Sequence, residues 1–245
     1  VNKRIKGQHL LCVPPPPTIG VLDSLQRGTI AEVFARTILH FVPPKDRPLV
    51  LDLTHRVGDF WKHCGYWYRV VRMDLDLDGA LRAGGHIDLV GDFREPLPFR
   101  DRTFGAVAFD PPYSLFGSNK GYAAKTYTAM YRSFGEMRFR QSAREWARIL
   151  RDDGVLIART QDAHRRGRYV PMSDILERDI AGSFVRTDEV IHEIGGFPPR
   201  FAMVPPPKTR KIHSFFQIYA KGAADGHPRV WDMEEPIDWE AVEPE

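Results

Sequence analysis

The sequence predicts an α/β fold, a mostly parallel sheet with helices on both faces. Three observations predict it. Short apolar runs suited to buried strands recur along the chain, helical periodicity separates several of them, and successive runs end in an aspartate.

In order, Thr29 to Val42 carries Ile30, Val33, Phe34, Ile38 and Phe41 on one helical face, and Pro43-Pro44 stops it. Leu49 to Leu53 reads as a buried strand, and Phe60 to Cys64 opens a helix. Arg69 to Asp74 is a second strand, Ile87 to Asp92 a short third and Gly105 to Phe109 a fourth. Gly117 to Phe139 has weak periodicity and reads as a long functional loop. Ser142 to Leu150 forms a helix that Asp152-Asp153-Gly154 ends, and Val155 to Thr160 is a fifth strand. Residues 171 to 183 make another helix, Val185 to Ile194 another strand and Ser214 to Ala220 the last one.

The composition bounds the function. Of 245 residues 42% are apolar, which suffices for a sizeable core. No run of about 18 apolar residues occurs, and the N-terminus lacks a signal-peptide core. A soluble, cytoplasmic protein without a membrane partner is therefore expected. Cys12 and Cys64 stand far apart without metal-ligand spacing, so free thiols are expected, with no metal site. The net charge of +3 divides into −6 from Lys221 onward and +9 before it, a basic body with an acidic tail. A basic body suits a polyanion partner.

The chemistry concentrates at Asp110-Pro111-Pro112-Tyr113, directly after an apolar strand. Open α/β sheets bind ligands at the carboxyl ends of their strands. A carboxylate, a stiff backbone with free carbonyls and a flat aromatic face suit an exocyclic amino group on a planar heterocycle such as adenine or cytosine. Asp52, Asp74 and Asp92 end the three preceding strands, which puts four carboxylates at one sheet edge.

The order Leu51-Asp52-Leu53-Thr54 to Gly58, then Asp74, then Gly91-Asp92-Phe93, then Asp110-Pro111-Pro112-Tyr113 resembles class I S-adenosylmethionine-dependent methyltransferases, most of all the amino-methyltransferases of DNA. Gly58-Asp59-Phe60-Trp61, Gln161-Asp162 and Arg210-Lys211-Ile212-His213-Ser214 look like small phage and actinobacterial members of that group. The resemblance implies a Rossmann-like sheet with an antiparallel C-terminal strand and S-adenosyl-L-methionine as cofactor. It implies three parts: an N-terminal extension with a cofactor-closing helix (1–45), a methyltransferase domain (46–220) and an acidic tail (221–245).

It also implies roles. Asp52, Thr54 and the turn to Gly58 would sit beside the methionine part of the cofactor. Asp74 would accept from both ribose hydroxyls, and Asp92 would receive the adenine amino group, with Phe93 packing on that ring. Thr29 corresponds to the segment that closes over the cofactor. Asp110, Pro111, Pro112 and Tyr113 would hold the target base. Arg56 replaces the first glycine of the cofactor turn, and arginine does not easily take φ > 0. Either the turn follows another path with Arg56 pointing out, or cofactor binding is weakened and the chain is a catalytically impaired nucleic-acid binder.

Arg159, His164, Arg165, Arg166 and Arg168 form one basic group, and Arg200, Lys208, Arg210, Lys211 and His213 another. Their proximity to Pro and Gly places both on loops, where they would contact phosphates. DNA is favoured over RNA as the partner, and aspartate at the first motif position favours adenine N6 over cytosine N4. Sequence specificity is expected from residues 114–141 and 195–213, or from a specificity partner or homodimer.

Overall fold

Along the central strands alternate side chains face opposite layers, which divides the core in two. A computed structural model describes residues 15–16, 20–82, 84–111, 139–165, 168–194 and 212–222. Val50, Ala106, Ala108 and Ile157 face the layer of helix α1 (Ile30–Phe41), and Leu51, Val107, Phe109, Leu156 and Ala158 face that of α3 (Phe139–Ile149) and α4 (Met172–Ile180). A further helix, α2 (Leu77–Arg82), precedes the short edge strand. Apolar burial on both faces is what a parallel sheet requires.

The strands are β1 (Leu25–Arg27), β2 (Leu49–Asp52), β3 (Arg69–Asp74), β4 (Leu89–Val90), β5 (Phe104–Phe109), β6 (Leu150–Thr160), β7 (Ala163–Arg165), β8 (Arg168–Val170), β9 (Phe184–Glu193) and β10 (His213–Lys221). Eight of them form one sheet in the order β1-β9-β10-β6-β5-β2-β3-β4, and β7 pairs with β8 as a separate hairpin. Every pair between β4 and β6 is parallel. β10 runs antiparallel to both β6 and β9, and β1 is parallel to β9. The sheet is thus Rossmann-like and mostly parallel, with an antiparallel C-terminal strand and helices on both faces. Strand order reverses direction between β2 and β5, the topological switch point of such a sheet.

Helix α1 begins where its sequence says it should. Thr29 is the N-cap, its Oγ1 accepting from the Glu32 N–H at 3.3 Å while Glu32 Oε2 accepts from the Thr29 N–H at 2.7 Å. Phe34 on this helix stacks on Phe60 at 4.1 Å between ring centroids. Phe60 belongs to a 3₁₀ turn, Asp59–Lys62, and a second turn, Gly65–Trp67, follows where a helix was expected. Cys64 is a buried free thiol, pushed up to about 12 by burial.

Two boundaries differ from expectation. The third strand shrinks to Leu89–Val90 at the sheet edge, where it has one neighbour. Asp152-Asp153-Gly154 does not separate α3 from the next strand. Leu150 already pairs with Phe104, and pairing resumes at Val155 with Ala106, so Arg151 to Gly154 bulge from β6. Gly154 belongs there because a Cβ would stand 2.9 Å from the Arg151 carbonyl oxygen. Among the described residues, no helix is long and apolar enough to cross a membrane.

Candidate active site

Parallel strands bring their carboxyl ends to one edge, and that edge gathers the aspartates that the sequence spaces far apart. Asp52 and Asp74 are the last residues of β2 and β3, Asp92 follows β4, and Asp110 follows β5. Asp52 and Asp110 flank the switch point.

Asp52 is 2% exposed, and its carboxylate holds the turn that follows it. Oδ2 accepts from His55 Nδ1 at 2.8 Å and Trp61 Nε1 at 2.6 Å, and Oδ1 accepts from the Thr54 N–H at 3.2 Å. The His55 ring in turn dictates Gly58. A Cβ there would lie 2.7 Å from the imidazole, and the backbone has φ +74°, where glycine is unstrained.

Arg56 has φ +48° and an exposed side chain. Of the first alternative, Arg56 does point out, but the backbone keeps a left-handed conformation there rather than taking another path. The Arg56 N–H donates to Asp74 Oδ2 at 2.7 Å and the His55 N–H to the Met73 carbonyl at 2.9 Å, bonds that hold the turn in this conformation. Gly85 packs against the same turn so closely that a Cβ would overlap the Arg56 carbonyl oxygen.

Asp74 is largely buried, with Oδ2 on Arg56 and Oδ1 accepting from the Asp76 N–H at 2.9 Å. Burial raises its carboxyl above the ordinary range, against the pull of those two donors. Each oxygen keeps a second lone pair for a hydroxyl donor. Asp92 is gripped by Arg94, whose Nε lies 2.8 Å from Oδ1 and whose Nη2 reaches Oδ2. Burial works to raise this carboxyl, and the Arg94 bonds outweigh it, so Asp92 titrates below the usual range. Phe93 is 4% exposed, its ring against Phe109 at 5.0 Å and Trp146 at 6.3 Å in the core.

Thr54 bridges the switch point, its Oγ1 accepting from the Asp110 N–H at 2.9 Å. Pro111 is buried beside it. Thr29 opens α1 directly after β1, at the same carboxyl edge as the aspartates. Pro112 and Tyr113 lie outside the described residues, as do Phe116, Tyr122, Tyr127 and Tyr131.

Solved structures with a similar chain path include methyltransferases. The PH0226 protein of Pyrococcus horikoshii OT3 is 18% identical over 78% of this chain and 90% of its own, with a TM-score of 0.47. A TehB-like SAM-dependent methyltransferase from Corynebacterium glutamicum is 16% identical over 77% of this chain and 87% of its own, with a TM-score of 0.44. A Thermus thermophilus protein provisionally named a DNA modification methylase is 18% identical over 58% of this chain and 55% of its own, with a TM-score of 0.38. No protein-family model and no curated protein matches the chain.

The basic residues divide differently from expectation. Arg165 and Arg168 lie on the β7–β8 hairpin rather than in a loop, opposite one another in its register. His213 starts β10 at the carboxyl edge, paired with Glu193. Arg159 is no loop residue. It lies within β6, 7% exposed, in register with Phe216, and its Nη1 stands 3.3 Å from Asp110 Oδ1. Arg166, Arg200, Lys208, Arg210, Lys211 and the tail from 223 lie outside the described residues.

Sequence reasoning missed His55, Trp61 and Arg94 as partners of the aspartates. A hydrogen-bonding side chain three residues after a strand-end aspartate, or an arginine two after it, was the signal available.

Proposed function

We propose that the chain transfers a methyl group from S-adenosylmethionine to an exocyclic amino group of a nucleic-acid base, adenine N6 in DNA in the first instance. The observation that carries this reading is the pairing across the switch point. Asp110-Pro111 caps β5 on one side, and the Asp52 turn, Asp74 and Asp92 occupy the other.

The donor set suits the cofactor. Asp74 presents a buried carboxylate with acceptor capacity for vicinal hydroxyls, the service an acidic residue performs after the second strand of a dinucleotide fold. Asp92 is kept ionised by Arg94 and can accept from an adenine amino group. The turn from Thr54 to Gly58 would hold the methionine end, with Gly58 adding no side chain. When bound, the sulfonium supplies an electrophilic methyl group.

A base amino nitrogen is a poor nucleophile because its lone pair is delocalised into the ring. The Asp110 carboxylate and the Pro111 carbonyl would accept hydrogen bonds from its two N–H groups, favour a pyramidal nitrogen and stabilise the positive charge that develops during attack, one N–H proton then passing to solvent. Positioning supplies much of the acceleration. A duplex base reaches this edge only when flipped out, with Tyr113 as its stacking face. Arg165 and Arg168 on the hairpin, together with Arg166, Arg210, Lys211 and His213, would contact phosphates.

The test is calorimetric titration with S-adenosylmethionine and S-adenosylhomocysteine, followed by transfer of labelled methyl to DNA and to RNA. Asp110→Ala is expected to abolish transfer while cofactor affinity is retained. No binding of either ligand at about millimolar concentration overturns the proposal, and transfer to RNA alone moves the substrate class.

A further inference from the structure

Five polar groups form one hydrogen-bonded chain from the candidate catalytic carboxylate to Gly28, the residue after β1. Arg159 Nη1 donates to Asp110 Oδ1 at 3.3 Å and Arg159 Nε to Ser214 Oγ at 3.2 Å. Ser214 Oγ lies 3.3 Å from His192 Nδ1, and His192 Nε2 lies 2.9 Å from the Gly28 carbonyl oxygen. Arg159, Ser214 and His192 are 7%, 0% and 1% exposed, and they come from three neighbouring strands, β6, β10 and β9.

Chemistry fixes the direction of the chain. A carbonyl oxygen only accepts, so His192 Nε2 carries the proton and Nδ1 has the lone pair. Burial, which lowers the His192 pKa despite the bond to Gly28, and the nearby Arg159 charge keep the ring neutral. Ser214 therefore donates its hydroxyl hydrogen to Nδ1 and accepts from Arg159 Nε. The guanidinium is planar, so fixing Nε on Ser214 also fixes Nη1 on Asp110.

We propose that Arg159 is a positioning residue for methyl transfer, holding the Asp110 carboxylate by Oδ1 in the orientation that receives the substrate amino group. The inference rests on the methyl-transfer reading of the site. A buried arginine inside a strand is destabilising unless paired, and here Nε meets Ser214 on the neighbouring strand β10 and Nη1 meets the motif aspartate. The anchor ends on the backbone at Gly28, one residue before the Thr29 cap, so the docked β1–α1 junction supports the geometry of Asp110.

The test compares wild type, Arg159→Met, Arg159→Lys and Ser214→Ala. In Arg159→Met, kcat is expected to fall about a hundredfold, with KM for nucleic acid and affinity for S-adenosylhomocysteine within about threefold. The acid limb of its kcat profile should move to higher pH, because a neighbouring cation is removed. Arg159→Lys, which keeps charge without the fork, should recover part of the rate, and Ser214→Ala should lose about tenfold. If Arg159→Met does not fold, the lysine and alanine variants carry the same comparison. Unchanged kcat, or parallel loss of rate, ligand affinity and melting temperature, overturns the proposal. Carbon-13 titration of the Asp110 carboxylate keeps the two readings apart. A wild type that binds cofactor but methylates no base sinks the methyl-transfer reading. The arginine pairing itself also fails if Asp110 titrates alike in wild type and in the arginine variants.

Discussion

Thr54 and Asp110 are separated by 56 positions in the chain and joined by one hydrogen bond, from the Asp110 N–H to Thr54 Oγ1 at 2.9 Å. The Thr54 N–H is held by Asp52, itself held by His55 and Trp61. A backbone displacement at one side of the switch point is therefore felt at the other.

Thr54→Val keeps the shape of the side chain and removes the acceptor, leaving the Asp110 N–H without this bond. We expect a loss of about 1–3 kcal/mol in urea unfolding and a fall in methyl transfer that exceeds the fall in S-adenosylhomocysteine affinity. Thr54→Ser should be close to wild type in both. Equal behaviour of valine and serine variants would refute the coupling.

Two adjacent glycines offer a controlled comparison. At Gly85 an added methyl collides with the Arg56 carbonyl oxygen, whereas at Gly84 nothing lies within 4 Å and only φ +79° opposes it. Gly84→Ala should cost about 1–2 kcal/mol and leave cofactor affinity alone. Gly85→Ala should displace the turn and weaken S-adenosylhomocysteine binding by about tenfold or more, measured by calorimetry.

Arg56 holds a strained backbone conformation at φ +48°. Arg56→Gly should relieve about 1 kcal/mol of backbone strain and leave cofactor binding within about threefold, because the contact to Asp74 uses the backbone N–H. A large gain in affinity on substitution would show instead that the arginine side chain obstructs the cofactor turn.

His192 gives the fold an acid sensitivity. Its pKa is lowered on folding from 6.5, so below that pH the unfolded chain binds the proton more readily, and stability is lost as pH falls through the folded value. Above 6.5 the ring is neutral in both states, and the contribution is complete. His192→Gln should reduce the drop in melting temperature between about pH 7.5 and about pH 5.5, even if its stability at neutral pH is lower.

The strands that hold the site were legible because burial on both faces leaves an uninterrupted apolar run, as in Leu49 to Leu51 and Gly105 to Phe109. Strand β1 was not, since Leu25-Gln26-Arg27 is short, mostly exposed and defined by a partner far along the chain. The aspartates could be placed at strand ends, but their partners could not. Arg159 reads as a surface charge until the register of β10 brings Ser214 beside it, and Arg56 keeps a left-handed backbone only because Asp74 and Met73 hold the turn. Both depend on tertiary contacts, which periodicity does not encode.

During synthesis, β1 leaves the ribosome long before β9, its neighbour in the sheet, with Leu25 waiting for Ile191. Closing a loop of that length carries an entropic cost recovered only once β9 and β10 have formed. Strand β1, made well before its neighbour, is therefore among the last to settle, and until it does the Gly28 carbonyl is not in place to receive His192. A nascent chain would complete the central strands around the switch point first and seat β1 afterwards.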